Sequence, residues 1–355
     1  MTSKERVLKA MAREVPDRVP ISYCANEGIH AKLRAHYGAS DDEALRRALG
    51  VDFRWTGAGY TGPKLHPDFP ERGIKSNGEW GMRVRWIEHE TGGYWDYCEF
   101  PLEDADMEMA KKWPMPNPDH YDYTKIYDHC KANKEFAIIA GGAGLADVMN
   151  STGMIWSVER TLVGLITDDE AILHYLDRRT DILLEIYRRT LEAARGGIDI
   201  LGMGEDLGTQ IAPMISLDLF RKHIRPRHQP FIDLAKKYGA RVMTHTCGSS
   251  SWAYPDFIEM GVDAVDTLQP EATNMEPEYL KRNFGQHLAF HGCISTAKVA
   301  QLTKEGAEQH CRDTLDIMMP GGGYCFAPTH MLQDNTPLEN VLAMYDIAKT
   351  HGRYE

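Results

Sequence analysis

The stretch Ala240-Arg241-Val242-Met243-Thr244-His245-Thr246-Cys247-Gly248 carries a short apolar run into a histidine, a cysteine two residues on, and a glycine. In an extended strand, residues i and i+2 share a side. His245 and Cys247 therefore aim an imidazole and a thiol at one point beyond the strand end. Those are ligand types that zinc prefers. A bare H-x-C is more often a buried cysteine beside a satisfied histidine, so the pair takes its meaning from its place in the whole pattern.

Working outward, the same unit recurs. Val19–Tyr23, Gly50–Trp55, Phe136–Ala140, Ile198–Met203, Arg241–Thr246, Val262–Leu268, Leu288–Gly292 and Tyr324–Ala327 read as eight short apolar strands. Amphipathic helical patterns follow, among them Asp41–Leu49, Leu145–Ala194 with a break near Thr167, Leu217–Tyr238, Ala297–Met318 and Pro337–His351. Eight such alternations favour an α/β fold of the (β/α)8 TIM barrel type over an open doubly wound sheet. Ser3–Arg13 adds an amino-terminal helical extension. Residues 57–118, rich in glycine, proline and aromatics, read as an inserted β-hairpin region that shapes the substrate site. The expectation is one domain over 1–355 with that insertion inside it.

The 355 residues carry a net charge of -12, which argues against a nucleic-acid backbone as the principal partner. The amino terminus opens into an amphipathic helix with no signal-peptide core, and no apolar run approaches the length of a membrane span. The seven cysteines are scattered without close pairs. A reducing cytoplasm fits best, with thiols serving as ligands or core residues.

In a barrel of this type, chemistry sits where strands run into the following loops. Read in turn, those ends supply Glu205 and Asp206, then His245 and Cys247, Gln269, His291 and Cys293, and finally Cys325 and His330. Metal-capable residues thus gather on one rim, which turns His245 and Cys247 into metal ligands. A catalytic zinc takes three protein ligands and leaves one position open; Cys293, Cys325 and His330 all qualify for the third. Tyr23, Trp55, Tyr94, Trp95 and Tyr97 could wall an aromatic pocket, although aromatic residues more often serve ordinary packing.

Asp206-Leu-Gly-Thr-Gln210, Thr244-His-Thr-Cys-Gly248, Leu268-Gln-Pro270, Phe290-His-Gly292, Gly321-Gly-Gly323 and Thr336-Pro-Leu-Glu-Asn340 together resemble the uroporphyrinogen decarboxylase superfamily. The likeness runs from about Asp17 to the carboxyl terminus and weakens through the aromatic insertion. Within it, an H-x-C followed by a distant ligand is similar to the zinc-dependent, corrinoid-linked methyltransferases, of the coenzyme M and O-demethylase types. That resemblance implies Zn2+ on His245, Cys247 and His330. It also implies a corrinoid (cobalamin) carried by a separate protein, because the chain lacks a D-x-H-x-x-G signature. The family's third ligand is usually a cysteine in a Pro-Gly-Cys-Gly turn, and a histidine in its place is a departure. Decarboxylases proper resemble a histidine here as well. However, they share an arginine-rich clamp where this chain has Tyr23-Cys-Ala-Asn-Glu27-Gly-Ile29, so a polyanionic tetrapyrrole is a poor substrate.

The expected activity is methyl transfer between a small methyl donor or acceptor and the corrinoid protein, with no nucleic acid or membrane involved. Asp206, Glu205 and Gln210 are the expected catalytic residues; Tyr23, Glu27, Trp55, Gln269 and His291 are expected at the substrate. A His-Cys-His set leaves zinc a formal charge of about +1, which suits a methyl ether better than a thiol. The alternatives are thiol methylation of the coenzyme M kind, metal-free decarboxylation of a smaller acid, and a non-enzymatic role in binding a corrinoid protein.

Overall fold

The computed structural model describes residues 1–89 and 92–355. Seven parallel strands follow one another in chain order: Phe53–Thr56, Ala137–Gly141, Ile200–Gly204, Arg241–Thr246, Ala264–Thr267, Ala289–Ile294 and Tyr324–Pro328. They form a curled α/β sheet consistent with a TIM-like barrel. Val19–Tyr23, expected as a further strand, forms no regular ladder. Pro20 lacks the N–H that a ladder needs. The segment still reaches both sheet edges: Phe326 N donates to Pro20 O (2.8 Å), Ser22 N to Phe326 O (2.9 Å) and Asp52 N to Ile21 O (2.9 Å).

Register decides which side chains meet. Gly204 pairs with His245, His245 with Asp266, Asp266 with His291, and His291 with Cys325. Paired residues of parallel strands face the same side, so these positions form one inward row. Below it, Phe53, Ala137, Ile139, Ile200, Met243, Ala264 and Ala289 pack with Val7, Ala10 and Met11 of helix Ser3–Met11. The amino-terminal helix therefore plugs the end of the sheet away from the chemistry. A reciprocal Thr2–Glu5 capping box starts that helix.

Most expected helices are present, with differences in detail. The segment expected from Ala297 to Met318 breaks into Thr296–Gln301 and Lys304–Met318, with Thr303 capping the second. Phe220–Ile224 is a π-turn just before Pro226, which has no N–H to donate. Helix Glu27–Tyr37 lies in a stretch to which the sequence reading assigned no element, capped by Asn26 and closed by Gly38 with positive φ. Inside the inserted region, Ile74–Asn77, Met82–His89 and Gly92–Glu99 form a three-stranded antiparallel sheet.

Asp52 ties these parts together. It is fully buried and accepts from Arg6 Nη1 (2.7 Å), Arg18 Nη1 (2.7 Å), Ser3 Oγ (2.6 Å) and Ile21 N (2.7 Å). Asp52→Ala leaves Arg18 and the Ile21 donor without their carboxylate and Arg6 with Asp17 alone, and the expected destabilisation is about 3–5 kcal/mol in urea unfolding; a change within 1 kcal/mol would show the network to be dispensable.

Candidate metal centre and substrate cavity

The row of inward residues builds the site. His245 ends its strand and Cys247 follows the last strand residue. Gly248 then turns the chain with φ +68, where a side chain would run into the Gly208 backbone. Gln269 Oε1 accepts from Gly248 N (2.7 Å) and holds that turn. Cys247 Sγ lies 3.5 Å from His245 Nε2, and Asp206 Oδ1 lies 3.6 Å from the same nitrogen. One ligand atom from each of Asp206, His245 and Cys247 falls within 4.8 Å of the others. Asp206 is itself held, accepting from Cys247 N (3.0 Å) and Asn150 Nδ2 (2.7 Å).

Asp266 orients the imidazole. Its Oδ2 is 2.8 Å from His245 Nδ1, and its Oδ1 is 2.5 Å from His291 Nδ1. Burial alone would raise the pKa of this carboxyl, but the imidazoles of His291 and His245 outweigh it and hold the group well below the usual carboxylate range. Burial disfavours a charged His245, yet its bonds to Asp266 and Cys247 carry its pKa well above the ordinary value. Burial pushes the Cys247 thiol up, with His245 pulling the other way. With Nδ1 engaged by Asp266, the Nε2 lone pair is left for a cation beside Cys247 and Asp206. A carboxylate behind a ligating histidine is the usual support of a metal site. An imidazole, a thiol and a carboxylate so converged fit a zinc ion.

Two cavities meet at His245. The larger, about 540 Å³, is lined by Tyr23, His30, Arg46, Trp55, Met203, Met243, His291 and His330 among others. The smaller, about 380 Å³, lies between Asp206, Asn150, Arg179 and Tyr97 of the inserted sheet. His291 Nε2 is buried with no hydrogen-bond partner among the described residues.

Of the residues expected at the site, Tyr23, Trp55, His291 and His330 line the larger cavity, and Asp206 lines the smaller. His330 is not part of the 4.8 Å cluster; burial and the neighbouring His245 lower its pKa. Glu205 points elsewhere. It accepts from Val148 N and Met149 N at the start of helix Met149–Trp156, and burial pushes it up to about 7. Gln210 is exposed, and Glu27 sits exposed in the first turn of its helix. Tyr94 and Trp95 face outward on the inserted sheet. Cys293 and Cys325 are buried and line neither cavity. Asp266 and Asn150 went unread in the sequence; an aspartate closing the apolar run Ala264-Val-Asp-Thr267 was the available signal for the first.

A model of the uroporphyrinogen decarboxylase family matches residues 97–351. The chain belongs to that family. No curated protein matches it. Among solved structures it is similar to a methyltransferase from Methanosarcina mazei, at 18% identity, with 99% of each chain covered and a TM-score of 0.68. At that identity the likeness concerns the fold. A structure described as showing inhibition of the pneumococcal virulence factor StrH, with insights into N-glycan recognition and hydrolysis, aligns at 11% identity over 95% of this chain and 84% of the other. Its TM-score of 0.39 carries no argument. Among the described residues no helix is long and apolar enough to cross a membrane.

Asp266→Ala should lower zinc affinity about 10–100-fold in competition with a chelating dye while leaving His245 and Cys247 in place. Unchanged affinity would remove Asp266 from the centre.

Proposed function

We propose that the chain is a zinc-dependent methyltransferase that moves a methyl group between a small substrate, favoured as a methoxylated compound, and a corrinoid on a separate protein. The observation that carries this reading is the convergence of Asp206, His245 and Cys247, with His245 lining both cavities and Asp206 the smaller. Family membership and the Methanosarcina fold likeness support it. We read Val19–Tyr23 as the closing eighth stave of the barrel, and residues 57–118 as a substrate-shaping insertion within one domain.

Asp206, His245 and Cys247 would hold the ion, with His330 facing the same cavity as a further protein ligand. Zinc supplies Lewis acidity at the heteroatom that bears or receives the methyl group, while the corrinoid supplies the methyl-exchanging metal. The protein's own part is positioning. Asp266 fixes the His245 tautomer, Gln269 holds the turn behind Cys247, and His291 helps to line the substrate cavity. Asp206, held by Cys247 N and Asn150 Nδ2, would supply the carboxylate of the ligand set. Trp55, Met203 and Met243 wall the cavity where the methyl-bearing part lies.

A set of Asp206, His245 and Cys247 balances the two charges of zinc and is formally neutral. The positive charge expected of a His-Cys-His set is then absent at rest. This observation favours a second reading, methylation of a thiol, since a neutral centre would draw less electron density from a thiol substrate.

Metal analysis of the purified protein should return about one zinc per chain. Cys247→Ser should abolish tight binding and Cys325→Ser should leave it unchanged. Incubation with reduced cobalamin and a panel of methyl ethers, followed by the absorption of methylated cobalamin, tests the activity. Transfer from thioethers alone would select the second reading, and zinc-independent release of carbon dioxide from a substrate acid would overturn both.

A further inference from the structure

Strand Ala264–Thr267 ends by breaking its own alternation. In a regular strand, neighbouring residues point to opposite faces. Asp266 faces inward with its partners His245 and His291, so Thr267 belongs on the outer face. Instead, Thr267 Oγ1 lies 2.7 Å from His245 Nδ1, the nitrogen that Asp266 Oδ2 approaches at 2.8 Å. Two consecutive side chains thus meet one ring nitrogen.

The backbone explains how. Thr267 has φ +87 and Leu268 has φ +56, both in the left-handed region. A β-branched residue there is a genuine outlier, and it persists only where its surroundings over-determine it. The turn swings the Thr267 side chain back to the inner face. The neighbouring strand makes room for this turn. Gly292, the register partner of Thr267, has φ +133, and a side chain there would collide with the Thr267 carbonyl oxygen. Thr267 is only 2% exposed, so its hydroxyl does not serve solvent. Among the described residues, His245 Nδ1 is the one hydrogen-bond partner of that hydroxyl.

We infer that Thr267 is a positioning residue for the metal-ligating His245. Its hydroxyl accepts a second share of the Nδ1 proton beside Asp266, and the strained turn is what delivers that oxygen. A single acceptor would leave the ring free to pivot about one bond. Two acceptors fix its rotation as well as its tautomer, which holds Nε2 where Cys247 Sγ stands 3.5 Å away. Thr267 acts through His245 and not on the reacting atoms. This deepens the metal-centre reading and rests on it for zinc affinity only; the hold on the ring belongs to the chain itself.

The test compares Thr267→Ser, Thr267→Val and Thr267→Gly in the full chain. The readouts are the Nδ1–H resonance of His245, identified by its loss in His245→Gln, and zinc affinity against a chelating dye. Ser keeps the hydroxyl and should leave both at their wild-type values. Val keeps the shape without the oxygen, so the resonance should move upfield and zinc affinity should fall about tenfold. Gly takes the left-handed backbone without strain; it separates strain from hydroxyl and should behave as Val does. An unmoved resonance in Val or in Gly, wild-type zinc affinity in both, or Ser behaving as Val does would overturn the inference. Should Thr267→Val fail to fold, Ser and Gly decide between them. In a chain that holds no zinc, a resonance moving as stated would support the role of Thr267 while sinking the methyltransferase reading.

Discussion

One half-buried carboxylate between two imidazoles organises the centre. Asp266 would resist ionisation where it lies, and it stays charged because His245 and His291 both turn Nδ1 towards it. The arrangement follows from strand register. His245, Asp266 and His291 are direct partners on three adjacent parallel strands, so their side chains emerge on one face at one height. Each histidine is thereby denied its alternative ring orientation. The remaining nitrogen of His245 meets Cys247 and Asp206, and that of His291 is buried without a partner among the described residues.

The rest of the fold protects this row. Below it, small residues such as Ala137, Ala264 and Ala289 leave room for helix Ser3–Met11 to close the floor. The Asp52 network fastens that helix to the sheet through Arg6 and Ser3. A closed floor leaves the opposite rim as the place for reactants, where two cavities share His245. An ion held there, as proposed, would be reachable from two sides, which suits a reaction with two partners. A thiol and an ether differ in what they ask of its charge, and the Asp206 carboxylate is the group that tunes it.

Much of this was legible in the sequence because it is periodic. Seven of the eight expected strands appear within a few residues of their expected limits, since apolar runs bounded by polar ends and helices leave few alternatives. His245 and Cys247 were readable because two-residue alternation aims both at one point. What escaped depends on register and three-dimensional neighbours. Asp266 looked like an isolated acid in a strand until its partners stood beside it. Glu205 and Asp206 are adjacent in sequence, yet the chain turns one into a helix cap and the other towards the metal cluster. Helix Glu27–Tyr37 was missed although Asn26 and Gly38 are ordinary capping residues.

The central claim is that an imidazole and a thiolate at the exit of strand Arg241–Thr246 share one zinc ion. X-ray absorption at the zinc edge of the purified protein tests it most directly. The account predicts a single sulfur scatterer near 2.3 Å, with the remaining ligands nitrogen or oxygen at about 2.0–2.2 Å. A first shell of nitrogen and oxygen alone, or one holding two or more sulfurs, would contradict it.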